Sequence, residues 1–156
     1  MEMLLFVGLQ AAGKSTFFKE KWYETHMRLN MDMLRTRRRE AILLDALLQA
    51  KQPFVVDNTN PTAEDRKAYI DKAQAHRFRI VGYYFVPDYL ESINRNEGRS
   101  GKAKIPEIGI RSVMKKLQQP TWDEGFDDIY DVTSKNGVFT VEARAGKPQL
   151  PGPAPY

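Results

Sequence analysis

Gly8-Leu-Gln-Ala-Ala-Gly-Lys-Ser-Thr16, GLQAAGKST in one-letter code, decides how the rest of the chain is read. It follows directly on the apolar run Met3–Val7 and precedes a helical pattern. G-x-x-x-x-G-K-[ST] between a strand and a helix is a phosphate cradle. Gly8 and Gly13 let the backbone turn so that successive N–H groups face phosphate oxygens, backed by the positive N-terminus of the next helix. Lys14 then reaches the β- and γ-phosphates, and Ser15 offers a hydroxyl to Mg²⁺. In a chain of this length a chance match is roughly a one-in-two-hundred event, and the strand and helix on either side lower that further. Gly8, Gln10, Ala11, Ala12, Gly13, Lys14, Ser15 and Thr16 are therefore the expected nucleotide contacts, with ATP and Mg²⁺ as cofactors.

Outward from the cradle, apolar runs alternate with helical patterns. Leu4–Val7, Phe54–Val56 and Arg79–Val86 read as buried strands. Helices are expected over Lys14–Thr25, over Leu34–Ala50 (apolar face Ile42, Leu43, Ala46, Leu47 and Ala50), from Thr62 to about Ala75, from Asp88 to about Glu97, and from near Pro106. Thr62 with Asp65 resembles a capping signal. Asp128–Thr133 and Val138–Ala143 flank Asn136-Gly137, a hairpin-turn signal. Alternating strands and helices imply one α/β domain of the P-loop NTPase class. Its sheet should be central and mostly parallel, with helices on both faces and a small lid. The expected domain is 1–145 with the lid at about 95–105, and 146–156 is a Pro-rich extended tail.

Composition removes whole classes of function. The 156 residues contain no cysteine, so disulfides and thiol catalysis are excluded. No apolar run approaches the ~18 residues of a membrane span. No basic and apolar leader precedes the first strand, so a cytoplasmic protein without a membrane partner is expected. The two histidines, His26 and His76, are too few for a histidine metal site and read as surface or helix-end residues. A net charge of +4 is compatible with an anionic partner. A guanine-reading Asn-Lys-x-Asp is absent, and Asp57 is followed by Asn58 where many hydrolytic ATPases place Glu. Both absences favour phosphoryl transfer from ATP over a switch or a motor.

A kinase needs a base for the incoming hydroxyl and cations for the moving phosphoryl group. Asp32 and Arg35 stand three apart where the first crossover returns to the sheet. Asp32 there is either the base or an N-terminal cap for the long helix, and spacing alone leaves both open. In the basic run Arg35-Thr-Arg-Arg-Arg39 only Arg35 is assigned to chemistry, the others reading as a solvated helix face. Arg95 and Arg99, four apart, are expected to share a helix face, and the glycines of the loop Gly98–Lys104 would allow the mobile flap that a lid closing over phosphates requires.

In this order the motifs resemble the polynucleotide 5′-hydroxyl kinase family, over about residues 3 to 132. Gly8–Ser15 matches its P-loop, Asp32-Met-Leu-Arg35 its D-x-x-R motif and Arg95-Asn-Glu-Gly-Arg99 its lid motif. Asp57-Asn-Thr-Asn60 is similar to its strand-end signature, and Pro120-Thr-Trp-Asp-Glu-Gly-Phe126 to the segment before its last strand. The resemblance implies ATP- and Mg²⁺-dependent transfer to the 5′-hydroxyl of an RNA or DNA end. Asp32 would be the general base and Arg35 the acceptor contact, with Arg95 and Arg99 on phosphates. Ser15 would hold Mg²⁺, and Asp57 would order the Mg²⁺ waters or the P-loop. No phosphatase domain is implied. A kinase of a small-molecule hydroxyl and a non-catalytic ATP-binding module are the alternatives.

Overall fold

The computed structural model describes residues 1–101 and 104–149, so Lys102 of the lid run and most of the Pro-rich tail lie outside the described residues. Six strands, β1 Glu2–Val7, β2 Met27–Leu29, β3 Phe54–Val56, β4 Arg79–Phe85, β5 Asp128–Lys135 and β6 Val138–Ala143, form one sheet in the order β2-β3-β1-β4-β5-β6. All neighbouring pairs are parallel except β5–β6, the expected hairpin, which turns at Asn136 (φ 52) and Gly137 (φ 77).

β1 runs through the middle of the sheet, and its alternation sets the two core layers. Met3 and Leu5 face a layer with Leu44, Leu48, Tyr69 and Ile70, carried by α3 Arg37–Ala50 and α4 Ala63–Ala75. Leu4 and Phe6 face the opposite layer, where α1 Lys14–Lys21 contributes Phe17 and Phe18. Phe6, Phe17, Trp22, Tyr83 and Phe85 stack there in edge and tilted pairs with centroids 5.0–5.9 Å apart. Helices thus cover both faces. α5 Tyr89–Glu97 and α6 Glu107–Lys116 pack at the end of the sheet that carries the cradle, where Ile110 and Val113 cover Leu9.

Three elements differ from the sequence-based reading. The expected helix over Leu34–Ala50 is two, a single turn α2 Met31–Leu34 and then α3. Arg35 takes φ 73, which ends α2, and the Thr36 hydroxyl oxygen accepts the Arg39 N–H to start α3. The buried stripe of α3 is Glu40, Leu44 and Leu48, while Ile42 and Leu43 are exposed. α1 stops at Lys21, because Trp22 turns into the aromatic layer and its carbonyl accepts the N–H groups of Thr25 and His26. Met27–Leu29, too short to be read as a strand, is the edge strand β2. Thr62 and Asp65 form the expected capping box at the start of α4.

Candidate active site

The carboxyl ends of β1, β3 and β2 converge where strand order departs from β1 in both directions, the place at which open α/β sheets bind ligands. The cradle occupies the end of β1. Ala11 and Gly13 take left-handed φ of 59 and 90, which folds the loop into a concave run of N–H groups leading into α1. Gly13 has no room for a side chain, since a Cβ would lie 2.5 Å from Arg95 Nη1 and 2.9 Å from the Phe139 ring. Gly8 is equally constrained, with a Cβ 2.8 Å from Phe85 Cβ. Its N–H donates to the Thr59 carbonyl (3.0 Å), tying the cradle to the strand end at Asp57–Asn60.

Lys14 is buried, and its Nζ donates to the carbonyls of Gly8 (3.0 Å) and Leu9 (2.5 Å). Burial lowers its pKa to about 8; Asp57 and Asp32 oppose the shift, and the nearby Arg99 adds to it. Ser15 Oγ donates to Asp57 Oδ2 (3.1 Å). A hydroxyl and a carboxylate are hard oxygen donors of the kind Mg²⁺ prefers, the remaining positions being water and phosphate. Ser15 and Asp57 thus fit the expected metal. Thr16 has an exposed side chain and offers the cradle a first-turn N–H.

Two cavities flank the cradle. One, of about 400 Å³, is lined by Gln10, Gly13, Lys14, Ser15, Asp32, Asp57 and Arg99. The other, of about 390 Å³, lies between Ala11–Ala12, the β4–α5 corner and the end of β5, and Arg95 lines it. Arg95 pairs with Glu91 (2.9 Å) and donates to Ser134 Oγ (2.5 Å). The helix ends at Glu97, so Arg95 lies on it and Arg99 just beyond it; the two do not share a helix face as expected, and they line different cavities. Gln10 Oε1 is buried without a partner among the described residues, beside the first cavity.

Asp32 is no cap. Asn30 caps α2, its Oδ1 accepting the Met33 N–H (3.1 Å) while its Nδ2 donates to the Asp57 carbonyl (2.6 Å). Thr36 caps α3. Asn58 Oδ1 accepts the Met31 N–H (2.9 Å), so the Asp32 turn is bolted to the strand end that carries Asp57.

Arg35 does not join this group. It is exposed, it leaves α2 at φ 73, and it does not line the Asp32 cavity, whereas Arg37 does, beside Lys14 and Arg99. Arg37 Nη1 donates to Glu40 Oε1 (2.9 Å) and Tyr69 Oη (3.3 Å), and Glu40 Oε2 accepts from Asn58 Nδ2 (3.1 Å). Glu40 on the buried stripe of α3 is the signal for this anchor that periodicity alone overlooks. A second anchor is Arg66, fully buried on α4. It donates to Glu124 Oε1 (2.7 Å) and Oε2 (3.0 Å), and to the carbonyls of Asn60 (2.9 Å) and Gln118 (3.0 Å). The Pro120–Phe126 segment thus holds the strand-end loop from behind.

Residues 3–120 match the model of the AAA domain family of P-loop proteins. The chain belongs to this family. It is 30% identical over 138 residues to a bifunctional polynucleotide phosphatase/kinase of Schizosaccharomyces pombe, covering 86% of this chain and 34% of that protein. It is 25% identical over 139 residues to a putative bifunctional polynucleotide phosphatase/kinase of Acanthamoeba polyphaga mimivirus, covering 85% and 33%. The chain spans about a third of the length of these curated relatives. A gluconokinase from Sinorhizobium meliloti 1021 shares the fold at a TM-score of 0.59 and 15% identity, over 85% of this chain and 82% of that one. No helix among the described residues is long and apolar enough to cross a membrane.

Proposed function

We propose that this chain is an ATP- and Mg²⁺-dependent kinase that phosphorylates the 5′-hydroxyl of an RNA or DNA end. The observation that carries the reading is the shared cavity. Lys14, Ser15, Asp32, Asp57 and Arg99 line one space, with Asp32 on a turn that needs no cap from it. The relatives named as polynucleotide phosphatase/kinases support the acceptor class.

Asp32 takes the proton of the acceptor hydroxyl as that oxygen bonds to the γ-phosphorus. The bond from phosphorus to the β–γ bridging oxygen breaks, and its electron pair leaves with ADP. Lys14, Arg95 and Arg99 neutralise charge on the phosphate oxygens, a term fixed in place before reaction. Mg²⁺, held through Ser15 and the Asp57 carboxylate, supplies further charge neutralisation when bound. Arg37 takes the acceptor role that the D-x-x-R resemblance assigns to Arg35. A 5′-terminal hydroxyl is followed by a phosphodiester, and Arg37, which lines the Asp32 cavity and is held at Nη1 by Glu40 and Tyr69, would meet it while Lys14 and Arg99 serve the transferred phosphate.

The test is transfer from γ-labelled ATP to a 5′-OH oligonucleotide, a nucleoside 3′-phosphate, a nucleoside and small alcohols. The oligonucleotide and the nucleoside 3′-phosphate should far exceed the rest, and Lys14→Ala and Ser15→Ala should abolish transfer without unfolding. Equal rates with and without the 3′-phosphate would return the acceptor to a small-molecule hydroxyl.

A further inference from the structure

Arg28, on the edge strand β2, belongs to none of the motifs above, yet it closes a triangle on the metal-ligand pair. Its Nε donates to Asp57 Oδ2 (2.8 Å), its Nη2 donates to Ser15 Oγ (2.7 Å), and Ser15 Oγ donates to the same Asp57 oxygen (3.1 Å). A serine hydroxyl has one hydrogen and two lone pairs. Asp57 takes the hydrogen, and Arg28 occupies a lone pair that a metal ion would use. The carboxylate is 1% exposed, so a positive partner offsets the cost of holding its charge out of water. Arg28 itself is 24% exposed, so the side chain has solvent to swing into once it leaves its place 5.9 Å from the Phe18 ring centroid.

We propose that Arg28 is a resident counter-cation which satisfies Ser15 and Asp57 in the metal-free protein and which a divalent ion must displace. This rests on Ser15 and Asp57 being the metal-binding pair. Arg28 is a positioning residue in this scheme. It keeps the pair ordered at rest through the hydrogen bonds to Ser15 and Asp57, and it sets how much metal the site needs. Two positive groups cannot share these two oxygens at contact distance.

The experiment is titration of Mn²⁺ alone into the nucleotide-free protein, with free ion counted by electron paramagnetic resonance and folding checked by circular dichroism. Arg28→Gln, which removes both guanidinium hydrogen bonds, should bind Mn²⁺ at least roughly ten- to a hundredfold more tightly than wild type, the factor that even one of these charge-assisted bonds corresponds to. Arg28→Lys, whose ammonium cannot span both oxygens in the guanidinium's geometry, should fall between them, and it carries the test if the glutamine variant fails to fold. Adding Asp57→Asn to Arg28→Gln should remove the gain. Unchanged or weaker Mn²⁺ binding in folded Arg28→Gln and Arg28→Lys, with Ser15→Ala and Asp57→Asn still lowering it, would overturn the role of Arg28 alone. A gain that survives Asp57→Asn would place the ion elsewhere and overturn the metal-pair reading with it.

Discussion

Replacing Arg37 and Arg35 separately by alanine sets the structure against the D-x-x-R motif. Arg37 is 73% exposed at its side chain, so its ion pair with Glu40 contributes no more than about 1 kcal/mol to folding. Glu40 keeps Tyr69 Oη (2.7 Å) and Asn58 Nδ2 (3.1 Å) in the variant, and the fold should survive. Both contacts to Arg37 use Nη1, which fixes the plane of the guanidinium and leaves its other N–H groups for an anion. A phosphate held there by a charge-assisted hydrogen bond is worth about 1.5–3 kcal/mol. That is roughly a ten- to hundredfold loss of kcat/KM. Steady-state transfer from γ-labelled ATP to a 5′-OH oligonucleotide reads it, and the loss should vanish with an unphosphorylated nucleoside as acceptor. Arg35→Ala retains a Cβ, so the backbone cost at φ 73 is unchanged, and its kcat/KM should stay close to wild type. A large loss in Arg35→Ala together with wild-type activity in Arg37→Ala would refute the assignment.

Two further outcomes follow from buried charges. Glu124→Ala removes both carboxylate contacts from fully buried Arg66. It should cost about 3–5 kcal/mol in urea unfolding, the range for orphaning one partner of a buried pair; a loss under 1 kcal/mol would contradict that anchor. Lys14, with its pKa lowered by burial to about 8, would grip phosphate only when protonated. The free protein loses that proton as pH rises through about 8, so ADP affinity in EDTA should fall, by up to about tenfold per pH unit, above it. Lys14→Arg should remove the fall, because guanidinium stays charged throughout. Stability moves the other way. The folded pKa lies below the unfolded value of 10.5, so the cost of burying the charged ammonium is full below about 8 and fades as pH rises towards 10.5. An ADP affinity flat from pH 7 to 9.5 would reject the buried, depressed lysine.

The cradle was legible in the sequence because its chemistry is local. Two glycines, a lysine and a hydroxyl sit within eight residues, and the strand and helix around them carry clear periodicity. The parallel sheet, the hairpin at Asn136-Gly137 and the Thr62 capping box were legible for the same reason. What periodicity could not reach was set by tertiary contacts. The break at Arg35 has no glycine or proline to announce it, and it is fixed by the Thr36 cap and by Asn58 holding Met31 from another strand end. Past that break the cavity beside Asp32 is lined by Arg37, two residues on, and not by Arg35. Glu40 and Arg66 sit on helix faces that turn inward because Tyr69, Asn58 and Glu124 satisfy them there. A buried charge reads as solvent-facing until its partner is known. β2 escaped notice because three residues carry too little alternation.

The central claim is that Asp32 acts as the base in phosphoryl transfer to a 5′-hydroxyl. The direct measurement is single-turnover transfer from γ-labelled ATP to a 5′-OH oligonucleotide, in wild type and Asp32→Asn, with ADP affinity and thermal stability measured beside it. Wild type should label the 5′ end, and Asp32→Asn should slow the step by on the order of 10²–10⁴, the range for lost general acid–base catalysis. ADP affinity and stability should hold, because the caps at this turn come from Asn30 and Thr36. Full-rate labelling by Asp32→Asn, or no labelling of any 5′-OH end by wild type, would contradict the claim.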